Sequence, residues 1–236
     1  MSQAVTAIVL AAGKGSRMNS DIPKQYLTLC GKPVLFYSLQ AFEESKVDSI
    51  ILVTGSGEQE YCKKEIIDHY GITKVTHIVE GGAERYHSVY QGLLAASGAS
   101  YVLIHDGARP LISASVINKA MERVKEIGAC VVGMPVKDTI QIVDEKGNIV
   151  STPIRSRTWQ AQTPQCFSYE LAFSSYHEAL ARGDNSITDD AMVVQRYGGA
   201  KASMLAGGYH NIKVTTPEDI AVAECLLAMR QSDGMD

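Results

Sequence analysis

The chain has no excess of basic residues, no paired-cysteine spacing and no apolar run long enough for a membrane. Its first strong apolar run, residues 4–12, is too short to cross a bilayer and is preceded by no charged segment, so neither a leader nor an anchor is expected there. With 22 Lys+Arg against 26 Asp+Glu the formal charge is −4, which argues against a nucleic-acid coat or a membrane-surface protein. A local basic pocket for a phosphate is still compatible with that balance. The five cysteines (Cys30, Cys62, Cys130, Cys166 and Cys225) are odd in number and contain no C-x-x-C. They read as neither a disulfide framework nor a zinc site, and a reducing cytoplasm is the expected compartment. Only 7 prolines accompany 20 glycines in 236 residues that are 45% hydrophobic, so disorder and collagen-like repeats are excluded.

What is there is alternation. Runs at 5–11, 49–54, 75–80, 101–105 and 129–136 are almost continuously apolar and rich in Val and Ile, as strands covered on both faces are. Between them lie helix candidates at 33–43, 58–70, 88–96 and 113–127, the second and fourth closed by Gly71 and Gly128. This order predicts an α/β fold in three layers around a mainly parallel sheet, with ligands at the carboxyl ends of the strands. The runs 138–143 and 148–152 are short and β-prone, and the polar stretch Asp144-Glu145-Lys146-Gly147 joins them as a hairpin turn. With Ile140, Ile142 and Ile149 apolar, a hairpin arm at about 137–156 is expected to rest on its own domain or on a second subunit. Helices around 168–181 and 188–197, a strand at 202–205 and a last helix follow. Thr216 is its expected N-cap, with Pro217, Glu218 and Asp219 in the first turn. A single domain over residues 1–236 is the expectation.

Four segments carry chemistry. In Leu10-Ala11-Ala12-Gly13-Lys14-Gly15-Ser16-Arg17-Met18 a strand ends in small residues and a Gly-rich turn, with Lys14, Arg17 and, after Pro23, Lys24 close by. Small residues let a polyanion approach backbone amides, and the cations neutralise it. The segment matches neither the dinucleotide fingerprint, since Met18 stands where its third Gly belongs, nor the Walker A spacing, so a triphosphate is held by another scheme. In Glu80-Gly81-Gly82-Ala83-Glu84-Arg85-Tyr86-His87-Ser88, free amides and the Ser88 hydroxyl suit the edge of a pyrimidine base, or else Ser88 caps a helix after a tight turn. In His105-Asp106-Gly107-Ala108-Arg109-Pro110, Asp106 can take a substrate hydroxyl or hold Mg²⁺ through water and Arg109 can grip a phosphate. The alternative is an internal ion pair. The last set is scattered: Lys137-Asp138-Thr139, Arg155 and Arg157, Thr163-Pro164-Gln165, and Asn211-Ile212-Lys213-Val214-Thr215. Strand-like alternation turns Lys213 away from Ile212 and Val214.

The glycine-rich segment with Pro23-Lys24-Gln25-Tyr26 resembles the start of the sugar-nucleotide pyrophosphorylase-type nucleotidyltransferases. Six further segments in register are similar to a narrower group, the 2-C-methyl-D-erythritol 4-phosphate cytidylyltransferase family. They are Gly81-Gly82-x-Glu84-Arg85 with Ser88, His105 to Pro110, Lys137-Asp138-Thr139, Thr163-Pro164-Gln165 with Phe167, Ile187-Thr188-Asp189 with Ala191, and Asn211 to Asp219. The resemblance implies a Rossmann-like nucleotidyltransferase fold and a Mg²⁺-dependent CMP transfer from CTP to a sugar-alcohol phosphate. Through it Ala11, Ala12, Gly13, Gly15, Gly82, Ala83 and Ser88 would hold the nucleotide, and Arg17 and Lys24 would meet the charge on the α-phosphate. Arg155 and Lys213 would position the attacking phosphate, and Asp106, Arg109, Thr139 and Thr163 would line its site. It also implies a homodimer in which the arm crosses to the partner. At Ala83 the family commonly has Asp, so only a backbone contact carries over there. Ribitol 5-phosphate is the alternative acceptor, disfavoured by Ala108 where that group usually has Val. A non-catalytic nucleotide-binding regulator is the other alternative.

Overall fold

The structure, a computed structural model, describes residues 3–13, 18 and 22–233. Among these residues the five expected runs form parallel strands. These are β1 (Val5–Ala11), β4 (Ser49–Thr54), β5 (Val75–Glu80), β6 (Tyr101–Asp106) and β7 (Ala129–Pro135). Four of them are largely buried, while β5 lies at the sheet edge and is only partly covered. Two short strands, β2 (Thr28–Leu29) and β3 (Lys32–Pro33), make a small separate ribbon before α1 (Val34–Glu44). The helices α2 (Gln59–Cys62, continued by a π-helical turn Lys63–Asp68), α3 (Arg85–Ala95) and α4 (Ala114–Ile127) are the crossovers. The start of α4 is capped by Ser113, whose hydroxyl accepts from the Val116 amide at 3.3 Å, and it stops at Gly128 with φ of 78°. After β7 come β8 (Ile142–Val143), β9 (Ile149–Ser151), β10 (Trp159–Ser168), α5 (Tyr169–Ala181), α6 (Asp190–Tyr197), β11 (Ser203–Ala206) and α7 (Pro217–Asp233).

The main sheet runs β11-β7-β10-β6-β1-β4-β5, with β10 antiparallel to both neighbours and the other strands parallel. The strand β10 is absent from the sequence expectation, and its composition explains why. Gln160, Gln162, Thr163, Pro164 and Gln165 look like a loop, yet Gln162, Thr163 and Gln165 are buried in the sheet. Their polar groups are matched internally: Gln162 donates to the Gly208 carbonyl at 2.9 Å, and Gln165 donates to Asp189 at 2.6 Å and accepts from the Ala191 amide at 2.8 Å. Pro164 falls in the register shift between Ala161 and Gln165, where no ladder amide is needed. A polar strand thus lashes two later segments, the start of α6 and the turn at Gly208, to the sheet centre.

Alternation on β1 divides the core. Val5, Ala7, Val9 and Ala11 face α1, α2 and α4, while Ile8 faces α3, α5 and α6. A third cluster joins Leu29, Val34, Leu111, Val214, Ala223 and Leu227, seating α7 against the β2–β3 ribbon. The α7 start is a capping arrangement in which Asp219 accepts from the amides of Thr215 at 2.7 Å and Thr216 at 2.8 Å. The predicted hairpin is present as β8–β9, paired Ile142 with Ser151. The Asp144 carboxylate ties its turn by accepting from the amides of Lys146 and Asn148, each at 2.9 Å. Its apolar side chains are bare, with Ile149 and Val150 65% and 64% exposed.

Gly92 on α3 lies where a methyl group would stand 2.4 Å from the Ile8 Cγ2 and 3.2 Å from the Val53 Cγ2. Alanine gains about 1 kcal/mol of helix propensity, and overpacking costs about 1–3 kcal/mol. Gly92→Ala is therefore expected to lower the denaturant midpoint of the protein; an unchanged or higher midpoint contradicts this packing.

Candidate functional site

The carboxyl ends of β6, β1, β4 and β5 open into a cleft of ≈ 1040 Å³. The chain leaves β1 toward β4 on one side and meets β6 on the other, so this is where strand order reverses and where open α/β sheets take their ligands. Register brings Asp106 beside Leu10 and Thr54 beside Ala11. Ala11, Ala12 and Gly13 line the cleft from β1, and Gly82, Ala83 and Ser88 line it from the β5–α3 turn. Gly81 allows these two turns to meet: a methyl group on it would stand 2.5 Å from the Ala12 Cβ and 2.7 Å from the Ser88 Oγ.

The β5–α3 turn differs from the expectation of free amides. The Gly81 amide donates to the Thr54 carbonyl at 2.8 Å, and the Gly82 amide donates to the Ser88 hydroxyl at 3.1 Å, which itself donates to the Glu84 carbonyl at 3.2 Å. These bonds make the turn rigid and direct Ser88 inward, where it is buried. Ser88 lies within α3, which begins three residues earlier than its sequence suggests; the extended Glu84 is the cap residue.

Lys24 enters the cleft on a single 3₁₀ turn, Lys24–Tyr26. Its neighbours anchor the turn. Buried Gln25 donates to the Ala11 carbonyl at 2.6 Å, and the Tyr26 hydroxyl donates to Glu58 Oε2 at 2.6 Å. Glu58 also accepts from the Gly55 amide at 3.1 Å, so the turn is tied to the ends of β1 and β4 together. The sequence-selected Gly15 and Arg17, with Lys14, lie outside the described residues.

Lys213 reaches the same cleft from the other end of the chain. Arg109 donates to the Asn211 carbonyl at 2.8 Å, and the Val214 amide donates to the Ala108 carbonyl at 2.8 Å, which fastens this segment along the β6 exit. Val214 is fully buried, and alternation sends Lys213 the opposite way, to within 2.7 Å of Asp106 Oδ2. Asp106 is the hub. Arg85 Nε lies 3.1 Å from its Oδ1 and Arg109 Nε 3.8 Å from its Oδ2, and Arg85 also donates two hydrogen bonds to the Asp190 carboxylate, at 2.7 and 2.8 Å. Burial opposes ionisation of Asp106; Arg85, Lys213 and then Arg109 outweigh it and hold the carboxyl well below the usual carboxylate range. Arg85 and Lys213 line the cleft, whereas Arg109 stands behind the hub and does not. Burial likewise opposes the charge of Arg85, and Asp190 followed by Asp106 reverses that effect. Sequence reasoning assigned no role to Arg85 or Asp190. Nothing local marks an arginine whose partner lies on a distant helix.

The remaining selected residues do not line the cleft. Thr163 is buried in β10; its hydroxyl accepts from the Asp106 amide at 3.1 Å and lies 3.0 Å from His105 Nδ1. Thr139 and Arg155 are exposed at the two feet of the arm. For Mg²⁺, the donor set is thin. Both Asp106 oxygens already face cations, and among the described residues no three His, Cys, Asp or Glu side chains converge. Such a site suits an ion bound through substrate phosphates, with Asp106 reaching it through water.

A mainly parallel α/β sheet whose reversal point gathers small-residue turns, Lys24 and Lys213 defines a nucleotidyltransferase-type site. The profile of the family described as IspD, 2-C-methyl-D-erythritol 4-phosphate cytidylyltransferase, matches residues 5–229, and the chain belongs to that family of enzymes. Relatives of that name from Lachnoclostridium phytofermentans and Lachnospira eligens are each 50% identical, over 96% and 94% of this chain and 97% and 98% of their own. The solved 4-diphosphocytidyl-2C-methyl-D-erythritol synthase of Anaerococcus prevotii superposes with a TM-score of 0.84 at 31% identity, covering 96% of both chains. The Thermus thermophilus 2-C-methyl-D-erythritol 4-phosphate cytidylyltransferase gives 0.76 at 28%, over 94% of this chain and 98% of its own. Among the described residues no helix is long and apolar enough to cross a membrane.

His105 supplies a pH test of the hub. It is fully buried, with Nε2 3.4 Å from the Arg109 carbonyl, and burial above all pulls its pKa from 6.5 to about 3, Asp106 opposing. The unfolded chain binds this proton near pH 6.5 and the folded chain only near pH 3, so stability is full above that window and is lost as pH falls through it. Unfolding free energy from urea titrations is expected to fall between those limits, with a shallower slope for His105→Gln. Equal slopes for the two proteins contradict the assignment.

Proposed function

We infer that the cleft transfers the cytidylyl group of CTP to 2-C-methyl-D-erythritol 4-phosphate, giving 4-diphosphocytidyl-2-C-methyl-D-erythritol and pyrophosphate. The observation that carries this reading is that Lys24, from the turn after β1, and Lys213, from the segment before α7, line one cleft with Asp106. In the reaction an oxygen of the acceptor phosphate forms a bond to the α-phosphorus. The bond from that phosphorus to the bridging oxygen breaks, and the electron pair leaves on pyrophosphate. Both reactants are anions, so positioning and charge neutralisation supply the catalysis, with no protein nucleophile.

Placement in the cleft supports the roles of the described residues, while Gly15 and Arg17 take theirs from the family resemblance. Ala11, Ala12 and Gly13, with Gly15, receive the phosphates, and Gly82, Ala83 and Ser88 receive the cytidine. Lys24, with Arg17, takes the charge that grows on the α-phosphate and the departing pyrophosphate. Lys213, oriented by Asp106, receives the acceptor phosphate, and Arg109 supports it by fastening the Lys213 segment through the Asn211 carbonyl. Thr163 serves by holding the Asp106 backbone. Mg²⁺, when bound, neutralises part of the triphosphate charge. The bare Ile149, Val150 and Ile154 on the arm suit burial against a second copy of the chain, which would bring Thr139 and Arg155 to the partner's cleft. The balance of charge and the unpaired cysteines suit a cytoplasmic enzyme.

Pyrophosphate release from CTP, with methylerythritol phosphate and ribitol 5-phosphate supplied in parallel, tests the reading; release with the first acceptor is expected, and release with neither overturns it. Lys24→Ala is expected to lower kcat by about 10²–10³ while CTP binding changes far less. Equal losses in both remove Lys24 from the transition state. Arg155→Ala is expected to raise KM for the sugar phosphate, and mixing it with Lys24→Ala chains restores activity in hybrid dimers that keep one intact site. No recovery on mixing means that each chain uses its own arm.

A further inference from the structure

We propose that Asp190 is a positioning residue for the acceptor half of the site: it fixes Arg85, Arg85 fixes the Asp106 carboxylate, and Asp106 sets where the Lys213 ammonium stands. The inference deepens the functional reading above and rests on it. Asp190 is fully buried, and both its oxygens receive the Arg85 guanidinium, at 2.7 and 2.8 Å, while the hydroxyl of fully buried Tyr176 donates to Oδ1. The opposite edge of the same guanidinium donates through Nε to Asp106 Oδ1 at 3.1 Å. Arg85 has a planar set of donors, so seating two of its nitrogens on Asp190 dictates the direction of the third.

The anchor is itself held. Gln165 of β10 donates to Asp189 at 2.6 Å and accepts from the Ala191 amide at 2.8 Å, clasping the residues on either side of Asp190. Asp189 caps α6 by accepting from the Met192 amide at 2.9 Å. Two residues earlier on β10, the Thr163 hydroxyl accepts from the Asp106 amide at 3.1 Å. One strand therefore sets both ends of the bridge, the Asp106 backbone and the Asp190 carboxylate. Asp190 does not line the cleft, whereas Arg85, Asp106 and Lys213 do. Its influence on an acceptor phosphate passes through Arg85 alone. Without the bidentate anchor, Arg85 pivots about its remaining bond, Asp106 loses its fixed orientation, and Lys213 follows it.

Steady-state kinetics with CTP and methylerythritol phosphate, together with direct CTP titration, test the proposal in the full-length protein. Asp190→Asn is expected to lower kcat/KM for the acceptor by about 10- to 100-fold, as misplacement of a positioning group does. CTP affinity stays within about twofold, and in an Arg85→Lys background the same substitution adds less than about twofold, because the lever is already broken. Equal loss of acceptor and CTP terms, or full multiplicative loss in both backgrounds, overturns it. Should Asp190→Asn not fold, Tyr176→Phe deletes one hydrogen bond to Asp190 and is expected to show the same split at about three- to tenfold. Unchanged acceptor kinetics in folded Tyr176→Phe then overturn it. If the unsubstituted protein transfers no cytidylyl group, the parent reading has failed. The bridge is then read from the Arg85 Nε–H resonance, expected to be protected from exchange and to lose protection in Asp190→Asn; retained protection overturns it.

Discussion

A buried carboxylate surrounded by three cations organises this molecule. Asp106 ends the strand next to β1 and draws Arg85 and Lys213 from segments that are remote in sequence, with Arg109 joining from three residues further on. Bringing these positive groups together without a ligand would otherwise be costly in a partly buried site. One ionised carboxylate offsets part of their mutual repulsion, and Asp190 offsets more. The cluster stays net positive, three cations against two carboxylates, so it suits an incoming phosphate.

The surrounding architecture serves that geometry. The small-residue end of β1 leaves room for a polyanion, Gln25 and Tyr26 tie the Lys24 turn to the strands, and the buried Val214 points Lys213 inward. Rigid elements therefore hold the charges in place before any ligand arrives, which is what electrostatic catalysis by preorganisation requires. The arm is the exception. Among the described residues nothing covers its most exposed apolar side chains, Ile149, Val150 and Ile154.

The central parallel strands were legible because burial on both faces writes nearly unbroken Val and Ile runs, and α4 because Ser113 and Gly128 mark its ends; β5 was found although it is a partly exposed edge strand. The strand β10 was not legible: its buried glutamines serve hydrogen bonds to residues far along the chain, and polarity alone reads as a loop. The same cause hid Arg85, whose importance lies in a bidentate partner on α6. Thr163 was assigned to the acceptor site through the family resemblance, but its hydroxyl is spent inside the protein on the Asp106 amide and His105. Gly81 and Gly82 were read as offering amides to a ligand, whereas their amides close the turn and the glycines are needed for close approach to Ala12 and His87. Local patterns revealed which segments carry chemistry. Long-range pairing decided which atoms are available for it.

The central claim is that cations from remote segments act on one polyphosphate. A crystal structure of the complex with CTP and Mg²⁺ tests it most directly. The account predicts triphosphate density between the turn after β1 and Asp106, with the Lys24 and Lys213 ammonium groups both within about 3 Å of phosphate oxygens or of the acceptor position beside them. Nucleotide density outside this cleft, or a triphosphate bound with Lys24 and Lys213 facing separate cavities, contradicts it.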